Sequence, residues 1–253
     1  MVALHTEWLG QAWRQVFECR STNDEALVWA RAGAPIGAVV VAERQTAGRG
    51  RQGRTWVSPA GDNLYFSTVL RPPLKPSDCA LLPLVVGVAV AETLQAVGAA
   101  PELKWPNDVL LDGKKVAGIL AEAHWQGERV RHIVVGIGVN LNAIDMPIEI
   151  ASIATSFRRS TGQTISSERF AALLCENLER EHDQWVAQGA APVLDQWRRF
   201  ARWGRAVSVQ QEGQLISGVA LDLDASGALL VRDDGGRQHR LWSGEIGFVE
   251  EAV

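Results

Sequence analysis

Cysteine is scarce in this chain of 253 residues: Cys19, Cys79 and Cys175 are the only three, widely spaced and with no CxxC. So few, in odd number, they exclude a disulfide scaffold and a thiolate metal cluster, and fit reduced thiols in a reducing cytoplasm. No neighbour in sequence activates any of them as a nucleophile. The five histidines, His5, His124, His132, His182 and His239, show no metal-ligand spacing and read as structural or exposed. Basic residues are not in excess: 25 Lys and Arg against 29 Asp and Glu give a formal net charge of -4. Broad nucleic-acid binding usually shows as a basic domain, so a local positive field and a small anionic ligand fit better. An uninterrupted apolar run is missing too. The longest, CALLPLVVGVAVAETLQAVGAA, is broken by Pro83 and carries Glu92, which suits a buried helix rather than a membrane span. The opening MVALHTEWLGQAWRQ mixes charge into its apolar positions and reads as neither signal peptide nor span. There is no internal repeat and no low-complexity tract.

What is present describes a soluble globular chain, 47% hydrophobic and 21% charged, long enough for a full core and a small second module. STNDEALVWARAG predicts a helix entered through a Thr22/Glu25 capping box and stopped at Gly33. GAVVVAE (37–43) predicts a buried strand, NLYFSTVL (63–70) the next one, and residues 77–98 a long helix. Two further strand regions follow, with turns at Asp112-Gly113 and Gln126-Gly127-Glu128. Phe170, Leu173, Leu174, Leu178 and Trp185 then recur at helical spacing. From Trp203 onward, short strands are separated by Glu212-Gly213, Ser226-Gly227 and Gly235-Gly236, the pattern of a small β-barrel. The expectation is an α+β domain over 1–200 and a β module over 204–253.

Two segments stand out chemically. GRGRQGRTWVSPAGDNLYFS (48–67) sets Arg49, Arg51 and Arg54 among glycines directly after a strand. Such a loop is also an ordinary solvated turn. Guanidinium forks, however, match carboxylates and phosphates, and glycine lets backbone N–H groups approach an anion. In KWPNDVLLDGKKVAGILAEA, Lys104, Asn107, Asp108, Lys114 and Lys115 gather around a Pro106 turn. On a strand, Lys114 and Lys115 point to opposite faces, so one of them at most easily reaches a shared site. Asp108 either holds a magnesium ion or caps the turn. Asn140, closing VVGIGVNLN, either offers its amide to a ligand or forms an Asx turn. The ten tryptophans read mainly as packing, and the loop NAIDMPIEI (142–150) could lie over a nucleotide or a partner.

These three stretches, in this order and preceded by Ser21-Thr22-Asn23, closely resemble the biotin–protein ligase family over about residues 15–250. The resemblance implies a mixed sheet flanked by helices, of the class II synthetase-like kind, with a C-terminal SH3-like barrel. It implies two steps: biotin attacks the α-phosphorus of ATP to give biotinyl-5′-adenylate, and a lysine of the biotin carboxyl carrier protein of acetyl-CoA carboxylase then displaces AMP. By similarity Ser21, Thr22, Asn23 and Gln45 receive biotin's ureido ring and tail. Arg49, Gly50 and Arg51 face the biotin carboxyl and α-phosphate, and Lys115 is the catalytic lysine beside Arg49 and Arg51. Arg51, Arg54, Trp56, Asn107 and Asn140 are expected at the nucleotide, with Mg²⁺ accompanying ATP and Asp108 its weak candidate ligand. Some 20 residues precede Ser21, too few for the DNA-binding domain that some members carry. The expected partners are thus the carrier, with no nucleic acid and no membrane, and a possible homodimer through a strand edge such as HIVVGIGV. A lipoate or octanoate ligase on a similar fold, or a non-catalytic adenylate-binding regulator, are the competing readings.

Overall fold

Alternation along the strands decides which side chains face helices and which face the site. The computed structural model describes residues 3–248 except 62, 72–74, 128 and 212. The turn residues Glu128 and Glu212 named above therefore lie outside the described residues. Seven strands form the main sheet: β1 (Trp13–Cys19), β2 (Val39–Gln45), β3 (Asn63–Leu70), β4 (Glu102–Lys104), β5 (Asp108–Leu111), β6 (Lys114–Gln126) and β7 (Arg129–Asn140). Their order is β1-β2-β3-β7-β6-β5-β4. β1 and β2 run parallel and every other neighbouring pair antiparallel, so the sheet is mixed.

On β7, Ile133, Val135, Ile137 and Val139 join the large apolar core, while Val134, Gly136, Gly138 and Asn140 alternate with them. Leu64, Phe66 and Leu70 of β3 and Ala117 and Ile119 of β6 enter the same core. That core is closed by α2 (Leu82–Ala96), α4 (Ser167–Gln188) and α5 (Ala190–Phe200). The apolar run noted in the sequence is thus α2, eleven of whose residues are buried within the protein. A smaller cluster on the opposite face unites Ala26 and Ala30 of α1 (Thr22–Arg31) with Val40, Val69 and Val134.

The second sheet has five antiparallel strands, β8 (Ala206–Gln211), β9 (Gln214–Leu223), β10 (Leu229–Arg232), β11 (Gln238–Leu241) and β12 (Glu245–Phe248), in the order β11-β10-β9-β8-β12. This is the expected SH3-like module. It is fastened to the rest of the protein by the indole N–H of Trp105, between β4 and β5, which donates to the Gly227 carbonyl at 3.0 Å, and by Arg198 of α5, 2.7 Å from Asp222. The amino-terminal segment is fastened differently: buried Glu179 of α4 accepts from the backbone N–H groups of Glu7, Trp8 and Leu9 at 2.7–2.8 Å.

Several expectations change. β1 was not foreseen, because WRQVFEC presents little apolar pattern: its residues are exposed or half-buried at the sheet edge. The capping box does not form. Ser21 is the N-cap and Thr22 is already helical, its backbone N–H and hydroxyl both directed at Gln45. The helix read at 77–98 starts as a 3₁₀ segment, Pro76–Leu81, before α2. HIVVGIGV is not an edge. Residues 133–139 lie between β3 and β6, paired on both sides, so a dimer cannot use their backbone. The Asp112-Gly113 turn holds, with φ of 51° and 74° as a tight hairpin turn requires.

Candidate functional site

The site lies on the face of the main sheet that carries α1, where β6 and β7 are stripped to glycine. A Cβ on Gly136 would fall 2.3 Å from Asn23 Oδ1, and one on Gly138 2.5 Å from the Trp56 ring. Gly118 is in the same position, 2.9 Å from that ring. Real side chains cannot stand so close, so these strands leave a hollow that Asn23 and Trp56 reach into. The glycines that look like flexibility in VAGIL and VVGIGVN are there for space.

One wall is neutral and polar. Ser21, Thr22 and Asn23 are all buried at the start of α1. Gln45 Oε1 accepts from the Thr22 backbone N–H at 2.8 Å, and its Nε2 donates to Ser58 Oγ at 2.9 Å. Ser67, fully buried on β3, lies 2.7 Å from Thr22 Oγ1 and 2.6 Å from Asn23 Oδ1. Asn23 Nδ2 donates to Glu122 Oε2 at 2.6 Å.

The other wall is cationic. The basic loop is closed by its own backbone: Gly50 N–H donates to the Arg54 carbonyl at 2.7 Å and Trp56 N–H to the Gly48 carbonyl at 2.9 Å. From it Arg49 reaches Asp24 at 2.6 Å and Glu122 at 3.1 Å. Burial works against its charge, yet these two carboxylates hold the Arg49 pKa above the ordinary arginine value. Arg51 donates to Asn107 Oδ1 at 3.0 Å. Burial lowers its pKa, Asp108 resists that and Arg54 adds to it, while a guanidinium remains charged throughout the useful range. Lys115 Nζ stands 2.6 Å from Asp108 Oδ1 and 5.4 Å from the Trp56 ring. Its own backbone is pinned on both sides, by the Ile153 carbonyl at 2.8 Å and the Thr155 N–H at 2.9 Å. Burial also lowers the pKa of neighbouring Lys104, with Asp108 opposing and Lys115 and Arg54 reinforcing the shift.

Ser21, Thr22, Asn23, Gln45, Arg49, Gly50, Arg51, Trp56, Asn107 and Lys115 thus line one pocket. Arg54, Asp108 and Asn140 do not line it. Arg54 is exposed on the loop. Asn140 is buried and donates to the Thr155 carbonyl at 3.0 Å, supporting the segment that pins Lys115. Asp108 is occupied by Lys115, and among the described residues no three His, Cys, Asp or Glu side chains gather as a metal site. A single carboxylate paired to an ammonium does not fit a protein-held Mg²⁺, which takes oxygen ligands at near-octahedral geometry.

Residues 17–140 match the "Biotin/lipoate A/B protein ligase family", and residues 203–249 the "Biotin protein ligase C terminal domain". The chain is 41% identical over 225 residues to the biotin–[acetyl-CoA-carboxylase] ligase of Paracoccus denitrificans, covering 86% of this chain and 93% of that one. The chain belongs to the biotin protein ligase family. It is also 34% identical over 247 residues to the bifunctional ligase/repressor BirA of Bacillus subtilis, covering 76% of that protein. Its fold superposes on the biotin protein ligase from Aquifex aeolicus in complex with biotin and ATP with a TM-score of 0.83, at 29% identity over 95% of this chain and all of that one.

For this biotin ligase family chain, sequence reasoning missed three members of the site. Ser67 and Tyr65 sit on β3, where NLYFSTVL carried only a strand signal, and Tyr65 lines the pocket. Ser67 had one available clue: a small hydroxyl in a largely apolar strand usually finds a partner when buried. Glu122, at the end of AGILAE, had none beyond its charge.

Proposed function

We propose that the chain is an ATP-dependent biotin–protein ligase whose two steps run in the pocket lined by Thr22, Asn23, Gln45, Arg49, Arg51 and Lys115. In the first step a biotin carboxylate oxygen attacks the α-phosphorus of ATP, forming the mixed anhydride and expelling pyrophosphate. Two anions must meet, and their repulsion is the barrier that fixed cations lower. Arg49, Arg51 and Lys115 are those cations, each already oriented by Asp24 and Glu122, Asn107 or Asp108. The hydroxyls of Thr22 and Ser67 and the amides of Asn23 and Gln45 suit a neutral cyclic urea, which offers one carbonyl acceptor and two N–H donors.

In the second step the ε-amine of a lysine on the biotin carboxyl carrier protein attacks the anhydride carbonyl. An amide forms, the amine loses a proton, and AMP leaves with the bond electrons. The division of labour runs between a catalytic domain over 1–200 and an SH3-like domain over 204–253. Arg54 extends the cationic wall toward the distal phosphates, and Trp56 packs between loop and glycine floor. Among the described residues no set of donors fits a protein-held Mg²⁺, and the side chains named here act by binding and by charge.

The observation that carries this reading is the convergence of Arg49, Arg51 and Lys115 on one pocket whose opposite wall is uncharged and polar. The test is pyrophosphate release on mixing protein, ATP and Mg²⁺ with biotin, and with lipoate in parallel. Release with biotin alone is expected. Release with lipoate alone would replace the reading with lipoate attachment, and none with either would leave only a binding protein.

A further inference from the structure

Glu122 joins two parts of the site that come from distant stretches of chain. Its carboxylate accepts from Asn23 Nδ2 at 2.6 Å and from an Arg49 terminal nitrogen at 3.1 and 3.3 Å. Asn23 belongs to α1 and the polar wall, Arg49 to the basic loop. A primary amide has two ends of opposite chemistry, and which end faces a ligand decides what the ligand must offer. An ionised carboxylate only accepts, so it draws Nδ2 toward itself. Oδ1 is thereby left toward Ser67, whose hydroxyl lies at 2.6 Å, and toward the bare Cα of Gly136. Reversing the amide would set Oδ1 against a carboxylate oxygen. Glu122 is also one of two anchors for Arg49; the other is Asp24, at 2.6 Å.

We infer that Glu122 is a positioning residue for the ligase reaction proposed above, on which this inference rests. It fixes the polarity of Asn23 so that the polar wall presents an acceptor, selecting a ring that carries N–H donors. Through Arg49 it also fastens the basic loop over the bound adenylate. Asp24 serves only the second purpose, because it touches Arg49 and makes no contact with the Asn23 amide.

Two variants separate the functions, read by calorimetric titration with biotin in the absence of ATP and by retention of biotinyl-adenylate, followed as labelling of bystander lysines. Glu122→Gln, which can turn a donor toward Asn23, is expected to weaken biotin binding about tenfold and to raise bystander labelling severalfold. Asp24→Asn, which loosens Arg49 but leaves the Asn23 amide held, is expected to raise bystander labelling while weakening biotin binding by clearly less than Glu122→Gln does, about threefold at most. Circular dichroism and melting temperature report folding. Should Glu122→Gln not fold, Glu122→Asp, which draws the charge back from both partners, is read the same way. A variant that merely loosens the fold would lower the melting temperature and the active fraction without moving the affinity of the active molecules. Glu122→Gln with biotin affinity and adenylate retention within twofold of wild type overturns the inference, as does an equal loss of biotin affinity in Asp24→Asn. Wild-type protein that binds no biotin would instead sink the ligase reading, and this inference with it.

Discussion

The two faces of the main sheet are built from the same strands by opposite means. On the face covered by α2, α4 and α5, the positions of β7 are Ile133, Val135, Ile137 and Val139, whose side chains join the large apolar core. On the other face the alternate positions include Gly136 and Gly138, with Gly118 beside them on β6, and the space is left for residues arriving from α1 and the basic loop. The first face stabilises by burial; the second gives up burial to let polar and charged groups converge. The strand alternation that makes one half of β7 a core element makes the other half the floor of a site. Loss of stability and loss of ligand binding should therefore separate by residue parity over residues 135–138 of this one strand.

The largest effect should come from the lysine of the cationic wall. Lys115→Ala is expected to lower biotin-dependent pyrophosphate release by at least about a hundredfold, while biotin titration still shows binding and the melting temperature stays near wild type. Turnover equal to wild type would remove Lys115 from the chemistry. On the helix side, Glu179→Ala strips three backbone N–H groups of a buried acceptor, at a cost of about 2–4 kcal/mol in urea unfolding, with activity of the folded fraction unchanged.

The parity comparison itself is sharpened by adjacent residues. Val135→Ala should cost about 1–3 kcal/mol of stability with biotin affinity kept, through lost burial and a cavity. Gly136→Ala should reduce biotin affinity about tenfold with a smaller stability change, since its Cβ displaces Asn23. If both variants fail in the same way, the two faces are not the separate devices described.

The smallest effect is set by pH. His132 is buried on β7 opposite His124, with neither ring nitrogen partnered among the described residues. Burial first, then His124 and nearby arginines, push its pKa down to about 4. A depressed histidine pKa means the unfolded chain takes up the proton first. Stability is therefore full above about pH 6.5 and is lost as pH falls toward 4. Between pH 7 and 5 the loss should be about 1–2 kcal/mol, and His132→Phe should flatten that slope in urea titrations at the two pH values.

Much of the architecture was legible. Gly33, the 63–70 strand, the Asp112-Gly113 turn, the helix through Phe170 and Trp185 and the β module after Trp203 all carry local signals, because turn chemistry and apolar period act within a few residues. β1 was not legible: an exposed edge strand needs no apolar pattern, only a neighbour to pair with. The Thr22/Glu25 capping box failed because Gln45, 23 residues away, competes for the same hydroxyl and N–H. Of the site, the residues with distinctive chemistry, Arg49, Arg51, Asn107 and Lys115, could be named from their motifs. Ser67 and Glu122 could not, since each earns its role from partners 44 to 99 residues away.

By itself, then, the chain's order of residues determined where turns must fall, which strands are buried, and that a glycine-bordered group of arginines follows the second strand. The tertiary structure alone decided that β7 lies between β3 and β6, that its glycines face α1, and that Glu122 meets both Asn23 and Arg49. The reason is physical. Propensity and period are properties of neighbours along the chain, whereas strand order and side-chain contact depend on pairings whose entropic cost is met only when the whole core closes.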